Sequence, residues 1–186
     1  MTQNYSIISS VEGLPYDCLS LLACPTALGG VVVLSCNSII YVDQASRRVP
    51  LPLNGWPARI SDMPIPTIPP EHQPRIIELE GSCSSFVDDK TIFVILKDGA
   101  VYPVDMVIDG KTVSKLNMGS ALAHTAVPAV VRRITDSLLF VGSTVGPSVL
   151  LKAAHREEEI DDEMDVTTTT VVQTSHDMEF SDDEGN

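Results

Sequence analysis

The stretch VVVLSCNSIIYV, residues 31–42, decides the fold, because two runs of apolar and mostly β-branched residues flank the short turn Cys36-Asn37. Such runs predict the two strands of a β-hairpin. The same pattern returns in IFVILKDGAVY at residues 92–102 and in LLFVGSTVGPSVLL at residues 138–151. A repeat of roughly 40 to 50 residues with several short strands is typical of β-propeller blades. Because one blade cannot bury its own faces, the sequence predicts part of a larger object.

We therefore predict an all-β fold, an incomplete β-propeller of about three four-stranded antiparallel blades, with a lone strand near residues 5–10 before them. The predicted strands lie near residues 19–24, 31–35, 38–43 and 48–53 in the first blade, 83–87, 91–96, 100–107 and 112–117 in the second, and 127–134, 138–142 and 148–153 in the third. No fourth strand is recognisable in the third blade, so we expect it to be missing.

Glycine and proline predict the connections between these strands. The six prolines of residues 56–74 indicate a loop inserted between the first and second blades, because proline removes a ladder donor. Asp98-Gly99 and Asp109-Gly110 supply the positive φ angles of tight hairpins. Pro103 falls inside a predicted strand and predicts a bulge or an unpaired position. A short helix at residues 121–126 is the alternative to an irregular connection there.

The charge of −13 is concentrated at one end of the chain. Residues 156–186 hold twelve acidic residues and one basic residue, whereas residues 1–155 hold thirteen and eleven. A nearly neutral body lacks the electrostatic footprint of a nucleic-acid-binding domain, and the pairs Arg47-Arg48 and Arg132-Arg133 are too short to form a basic patch. No apolar run approaches the ~20 residues of a membrane span. Direct nucleic-acid binding and membrane insertion are therefore disfavoured.

The acidic segment predicts a second unit. Dense like charge and few apolar residues cannot offset the entropy of ordering, so we divide the chain into a partial β-propeller at residues 1–155 and a disordered acidic tail or linker at residues 156–186. The simplest role for the tail is a solvated linker. The alternative makes Ser181 a phosphorylation site, because the acids that follow it suit an acid-directed kinase, and the added phosphate would suit an arginine cluster on a partner.

No pattern predicts an enzyme. His72, His124, His155 and His176 stand in no recognisable relation to a nucleophile, and each is expected to be solvated. The stretch GSTVG at residues 142–146 lacks the lysine and helix of a phosphate-binding loop and predicts a hairpin turn. The acids at residues 161–165 lack the glycine-turned loop of a calcium site. We therefore expect no catalytic residues, no cofactor and no small-molecule substrate.

The four cysteines and the single tryptophan allow two interpretations each. Cys18, Cys24, Cys36 and Cys83 form no Cys-x-x-Cys pair, so we expect reduced, buried thiols rather than a disulfide or a zinc site. Trp56, beside Pro57, is either a buried cap on a blade, which we expect, or an exposed anchor for a partner peptide.

Several strings of the sequence resemble one known family. LPYDC at residues 14–18, GGVVV at 29–33, NSIIYVDQ at 37–44 and NGW at 54–56 resemble fungal large β-propeller subunits of the cleavage and polyadenylation specificity factor. LFVGS at residues 139–143, with Gly146 and Ser148, resembles the end of the first propeller in a wider family, which includes the large UV-damaged-DNA-binding subunit and a splicing factor 3b subunit. The resemblance covers residues 5–153. Thr144 and Pro147 depart from the pattern, so any partner contact made there in the family is in doubt here.

The resemblance implies a nuclear, non-catalytic scaffold for precursor mRNA 3′-end processing, formed by late blades of a first propeller. Members of this family hold a WD-repeat subunit and a zinc-finger subunit that read the polyadenylation signal, so RNA would be contacted at most indirectly. The alternative is an interaction propeller of the splicing or DNA-damage type. Since family members are several times longer, the chain is expected to be a fragment, and its unpaired strand edges are expected to make the isolated chain prone to aggregation.

Overall fold

The described residues form three antiparallel sheets. The computed structural model describes residues 10–68, 76–157 and 167–174, with side-chain surroundings as far as Ala154. These residues contain thirteen β-strands and a single 3-10 turn, and no α-helix. Within each sheet the strands that follow one another along the chain pair with one another, which is the meander expected of a blade. The predicted all-β, propeller-like fold is confirmed. The lone strand expected at residues 5–10 lies outside the described residues.

The first blade contains the stretch that decided the fold. Its strands are β1 (Cys18–Ala23), β2 (Val31–Ser35), β3 (Ser38–Val42) and β4 (Arg48–Pro52). The β2–β3 hairpin pairs Leu34 with Ile39 and Val31 with Val42. Both strands are buried on both faces, because β-branched side chains fill the two surfaces of the pleat.

The second blade is the central sheet. Its strands are β5 (Cys83–Phe86), β6 (Thr91–Ile95), β7 (Ala100–Asp109) and β8 (Thr112–Met118), with the short β9 (Ala123–His124) paired to the start of β7. The helix considered for residues 121–126 is wrong. Leu122 N–H donates to Val101 O and Thr125 N–H donates to Gly99 O, so this segment extends the ladder of β7 beyond the end of β8.

Pro103 is accommodated without a bulge. Leu96 N–H donates to Ala100 O, and Met106 N–H donates to Lys90 O. Alternate residues of β7 therefore direct their polar backbone groups toward β6, and Pro103 directs its nitrogen to the other side. On that side Pro103 lies between the part of β7 that pairs with β8 and the part that pairs with β9. No strand there requires a backbone N–H from this residue. The register shift of β7 occurs instead between Val107 and Ile108.

The third blade differs from the prediction in its last strand. Its strands are β10 (Pro128–Thr135), β11 (Leu138–Ser143), β12 (Val149–Glu157) and β13 (Thr167–Thr174). The fourth strand that we expected to be missing is β13, which pairs with β12 along its whole length. Threonine and valine favour extended backbone, and the ladder with β12 satisfies their backbone groups.

The disorder expected for residues 156–186 is therefore wrong for the residues of β13, and β12 crosses the expected boundary at residue 155. Residues 158–166 and 175–186, including Ser181, lie outside the described residues. That residues 1–155 and 156–186 form separate units stays a prediction.

Neighbouring blades pack face to face, and β6 shows how. Its residues alternate between the two faces of the sheet. Ile92 and Val94 enter a core shared with the first blade, whereas Phe93 and Ile95 enter a core shared with the third blade. All four are completely buried. The outer face of the first blade has its own cover, because Met63 and Ile65 of the proline-rich connection and part of residues 11–14 pack on Val33, Ile40 and Val42.

Candidate protein-interaction surface

Three separate sequence strings meet at one end of the first blade. The Asn37 side-chain amide donates to Asp17 Oδ2 at 2.6 Å, and the Asn54 amide donates to Asn37 Oδ1 at 2.7 Å and to Ile77 O at 2.9 Å. Asn54 is 2% exposed, so its hydrogen bonds form in a dry environment where they are hard to replace by water. We call Asp17, Asn37 and Asn54 the polar network.

The meander explains why these residues come together. The β2–β3 turn, the segment before β1 and the segment after β4 all lie at the same end of the sheet. Backbone hydrogen bonds connect them, because Cys36 N–H donates to Asp17 O and Leu53 N–H donates to Asn37 O. Leu79 N–H donates to Cys36 O and adds the segment that leads into the second blade. The turn is therefore fixed from three sides.

Two large aromatic side chains stand on this end of the blade. Trp56 is 51% exposed and Tyr16 is 81% exposed. Trp56 N–H donates to Asn54 Oδ1, so the polar network positions the backbone of the tryptophan. The buried cap expected for Trp56 is wrong, because the 3-10 turn Pro57–Arg59 begins directly after it and buries Pro57 instead. Trp56 is exposed, as the alternative requires, and its role as an anchor for a partner peptide stays a prediction.

Charged side chains accompany both rings. The Arg59 guanidinium carbon lies 5.2 Å from the centroid of the Trp56 ring, within the range of a cation–π contact. Tyr16 N–H donates to Ile60 O, and the Tyr16 hydroxyl donates to Asp62 Oδ2 at 3.3 Å. We call Tyr16, Trp56, Arg59 and Asp62 the aromatic surface. All four side chains are exposed.

Acidic residues border the polar network. Burial raises the pKa of the Cys36 thiol, a hydrogen bond from the backbone of Glu80 opposes this, and the negative charges of Asp17, Glu80 and Glu78 raise it further. The hydrogen bonds agree with this, because Asn37 binds Asp17, and Ile77 and Leu79 bring the segment of Glu78 and Glu80 against the polar network. Glu78 and Glu80 are exposed, and Lys97 lies beside Gly81 as a neighbouring cation.

A groove lies at the opposite end of the blades. It has a volume of about 760 Å³, and its lining residues come from the β1–β2 loop, the β5–β6 turn, and the end of β7 with the turn that follows it: Ala27, Leu28, Asp88, Asp89, Lys90, Ile108, Gly110 and Lys111. Asp88 Oδ1 accepts hydrogen bonds from the backbone of Lys90 and Thr91, which fixes one of these loops. The groove combines apolar side chains with charges of both signs, so its electrostatics favour no one class of ligand.

The remaining residues considered from the sequence do not converge on a site. His124 is exposed on β9, and residues 142–146 complete β11 and enter the β11–β12 hairpin turn, as predicted. His72, His176, the acids at 161–165 and Ser181 lie outside the described residues, as do the surroundings of the His155 side chain. Among the described residues no group of His, Cys, Asp and Glu has an arrangement that would hold a metal ion.

The four cysteines are free thiols, but they are less buried than expected. Cys18 is exposed, and its Sγ contacts Pro15 O and Ser35 Oγ. Cys24, Cys36 and Cys83 are half-buried, and burial raises the pKa of the Cys24 thiol to about 11. The expectation of burial is wrong for Cys18 because β1 is the first strand of its sheet and carries its residues toward solvent.

In the described part of the chain, no helix has the length and apolar character needed to cross a bilayer.

Sequence reasoning missed Tyr16, Arg59 and Asp62. The first lies inside one of the strings that carried the family resemblance, and Arg59 follows Trp56 by one 3-10 turn. The order of strands in a meander could have indicated that these residues lie close together. In a meander, the turn between the second and third strands always lies at the end where the first strand begins and the fourth ends.

The fold defines a class: a segment of a blade-built β-protein, here with two exposed aromatic side chains at one end of its first blade. No protein-family model matches the chain. Individual proteins do match it. It is 28% identical over 162 residues to "Protein cft1" of Schizosaccharomyces pombe, which covers 81% of this chain and 11% of the relative.

Two further relatives carry an explicit name. The chain is 27% identical over 155 residues to "Cleavage and polyadenylation specificity factor subunit 1" of Arabidopsis thaliana, covering 83% of this chain and 10% of the relative. It is 30% identical over 152 residues to the "probable" subunit 1 of Caenorhabditis briggsae, covering 81% and 10%. These homologues confirm the resemblance to the large subunit of this factor. The chain spans about a tenth of the length of the curated relatives it matches.

Proposed function

We propose that this chain acts in mRNA 3′-end processing as a non-catalytic scaffold segment of a cleavage and polyadenylation complex. The single observation that carries the proposal is the match over more than four fifths of the chain to proteins named as subunit 1 of the cleavage and polyadenylation specificity factor. The architecture supports a scaffold, because stacked blades present turns and edges while their interiors are filled by side chains.

The proposed partners are other protein subunits of that complex, in particular its WD-repeat and zinc-finger subunits. RNA is contacted at most indirectly, through subunits that read the polyadenylation signal, and the protein acts in the nucleus. The charge distribution supports this division of labour, since the nearly balanced charge of residues 1–155 gives little attraction for a phosphate backbone. The aromatic surface supports protein contact, since exposed tryptophan and tyrosine beside arginine are the residues that carry binding energy at protein interfaces.

Catalysis is not part of the proposal. His124, the one histidine whose surroundings are described, is exposed and lies on a two-residue strand. In the strand register, His124 lies opposite Ala100 of β7. Turnover of a substrate by the purified chain that is lost in His124→Ala or His72→Ala would contradict a purely structural role.

The experiment that tests the proposal is affinity purification of the tagged protein, expressed from its own gene, followed by mass spectrometry. We expect subunits of the cleavage and polyadenylation factor, including a WD-repeat and a zinc-finger protein, to co-purify. We also expect depletion of the protein to lengthen 3′ ends by readthrough. Recovery of a ubiquitin ligase or of a spliceosomal particle instead would assign the chain to one of the related interaction propellers and overturn the proposal.

A further inference from the structure

The aromatic surface presents its two rings from backbone that is held by hydrogen bonds. Tyr16 is anchored by its N–H to Ile60 O, and Trp56 by its N–H to Asn54 Oδ1 within the polar network. Residues whose backbone is already ordered lose less conformational entropy when a partner covers them. Their exposure, 81% for Tyr16 and 51% for Trp56, leaves substantial apolar area in water. Such a surface gains free energy when a flat, partly apolar group stacks on it.

The charge around the rings selects the partner. Asp17 and Asp62 lie beside the rings, and Glu78 and Glu80 belong to the segment that contacts the polar network, whereas Arg59 and Lys97 are the cations named in this region. Among these side chains carboxylates therefore outnumber cations. One oxygen of the Asp17 carboxylate is buried without a hydrogen-bond partner among the described residues, so its charge is only partly compensated. The surface therefore attracts a basic segment and repels an acidic segment or a phosphate backbone.

Among basic groups, guanidinium fits better than ammonium. A guanidinium is planar and weakly hydrated, stacks on aromatic faces and pairs with carboxylates through two hydrogen bonds. Arg59 already shows this geometry, with its guanidinium over the Trp56 ring at 5.2 Å. Lysine offers a compact, strongly hydrated charge and gains less from a ring.

We propose that the aromatic surface and the carboxylates around it bind an arginine-bearing basic segment of a partner protein. Arginine side chains stack on Trp56 and Tyr16, and their guanidinium groups pair with Asp62, Glu78 and Glu80. The inference rests on the proposed scaffold function and adds to it the location of a contact and the chemistry of the segment that makes it.

The test measures peptide binding to the full 186-residue chain, fused to maltose-binding protein to keep it in solution. The probe is a fluorescein-labelled peptide of glycine and serine with several arginines, and its binding is followed by fluorescence anisotropy. Matched peptides carry lysine or glutamate in place of arginine, and the fusion partner alone is the blank. We expect the arginine peptide to bind most tightly, the lysine peptide more weakly, and the glutamate peptide not to bind. Added salt should weaken binding.

Variants assign the binding to the surface. Trp56→Ala and Tyr16→Ala should each weaken arginine-peptide binding by at least about fivefold, the scale of one cation–π contact. Val145→Ala is the matched control, because Val145 is an exposed apolar residue, 72% exposed, on a turn of the third blade. Arg59→Ala should strengthen binding, because it removes a competing cation and uncovers one face of Trp56. Lys115→Ala, at an exposed position of β8, is its charge-matched control. A gain of affinity in Arg59→Ala that is absent in Lys115→Ala assigns the effect to the rings and not to net charge, and it remains decisive if the alanine variants of the rings fold poorly.

Equal affinity for the arginine, lysine and glutamate peptides would overturn the inference, as would unchanged or weaker binding in Arg59→Ala. Tighter binding of a proline-rich peptide without arginine would likewise overturn it and assign the rings to another class of segment. The co-purification experiment separates the two proposals. If polyadenylation subunits co-purify and the arginine peptide does not bind, the scaffold function stands and this surface is not its contact.

Discussion

The first and third blades share a hairpin pattern but bury it differently. In β3 of the first blade, Ile39 and Ile40 point to opposite faces, and both are completely buried. In β11 of the third blade, Leu139 is completely buried, whereas its neighbour Leu138 is half-buried. The first blade owes its second buried face to Met63 and Ile65, which lie more than twenty residues away in sequence.

This difference shows that an apolar hairpin sequence determines where the strands form but not which residues pack on their second face. Both hairpins are apolar on both faces, which is typical of a sheet with neighbours on two sides. The first blade finds its second neighbour in the proline-rich connection. The outer face of the third blade, where Leu138, Phe140 and Leu150 are half-buried, retains the pattern of a covered face with less cover among the described residues.

The largest expected effect on stability comes from replacing one of two neighbouring leucines of β11 by alanine. Leu139→Ala should lower the free energy of unfolding by about 3 kcal/mol, because it opens a cavity in the core between the second and third blades. Leu138→Ala should cost clearly less, about 1 kcal/mol, because the side chain of Leu138 is only partly buried. In the first blade, Ile39→Ala and Ile40→Ala should both resemble Leu139→Ala. Urea denaturation of the full chain, followed by circular dichroism, measures all four.

Equal and large losses for the two leucine variants would contradict the comparison. They would mean that the outer face of the third blade is covered in solution, either by residues outside those described or by a second molecule. Dependence of the Leu138→Ala effect on protein concentration would identify the second molecule, because binding stabilises by mass action.

The cover of the first blade can be weakened directly. Met63 is 5% exposed and packs on Val33, Ile40 and Val42. Met63→Ala should lower the free energy of unfolding by about 2 kcal/mol, the lower end of the range for buried methionine. Pro66→Ala is the control, since Pro66 is exposed in the same connection. If Met63→Ala were no more destabilising than the control, the connection would not cover the blade, and the first and third blades would be alike.

The polar network gives the next effect. Asn54→Ala removes the amide that donates to Asn37 Oδ1 and to Ile77 O. These two acceptors then stay buried without that hydrogen bond, so the free energy of unfolding should fall by about 1 to 3 kcal/mol. The emission of Trp56, the single tryptophan of the chain, should change in the same variant, because its backbone loses the contact with Asn54 Oδ1. Asn117→Ala, at an exposed position of β8, should leave both stability and emission unchanged.

The sequence predicted most of the fold because its strands are strongly apolar and short. The predicted strands of the first two blades agree with the structure to within about two residues at almost every end, and the hairpin turns at Asp98-Gly99 and Asp109-Gly110 are where glycine placed them, with positive φ at both glycines. The prediction missed β13, because the dense acidic composition around it was given more weight than its threonine-rich run. The pairing with β12 decided the outcome, and no local pattern announces it.

The candidate surface was only partly predictable. Trp56 was recognised as an anchor or a cap, but which of the two depends on the backbone that follows it, where Pro57 takes the buried position. The polar network joins residues up to 37 positions apart, from Asp17 to Asn54, through hydrogen bonds that a single sequence does not encode locally. Only the order of strands within a meander, which places alternate turns at one end, offered a route to it.

The smallest expected effect concerns the outer hairpin of the first blade, which a short turn closes between β3 and β4. The Asp43 carboxylate accepts hydrogen bonds from the backbone of Arg47 and Ala45 and pairs with the Arg47 side chain at 3.2 Å. These bonds, led by that from the Arg47 backbone, lower the pKa of Asp43 below its ordinary value of 3.8. Because the pKa is lower in the folded state, the Asp43 carboxylate stabilises the fold at any pH above its pKa in the unfolded chain. This stabilisation is lost as the pH falls through the pKa of Asp43 in the folded protein. Asp43→Asn should therefore lower the melting temperature slightly at neutral pH, and the difference from the unmodified chain should shrink below about pH 4. A difference that persisted unchanged in acid would mean that the turn depends on the shape of the side chain and not on its charge.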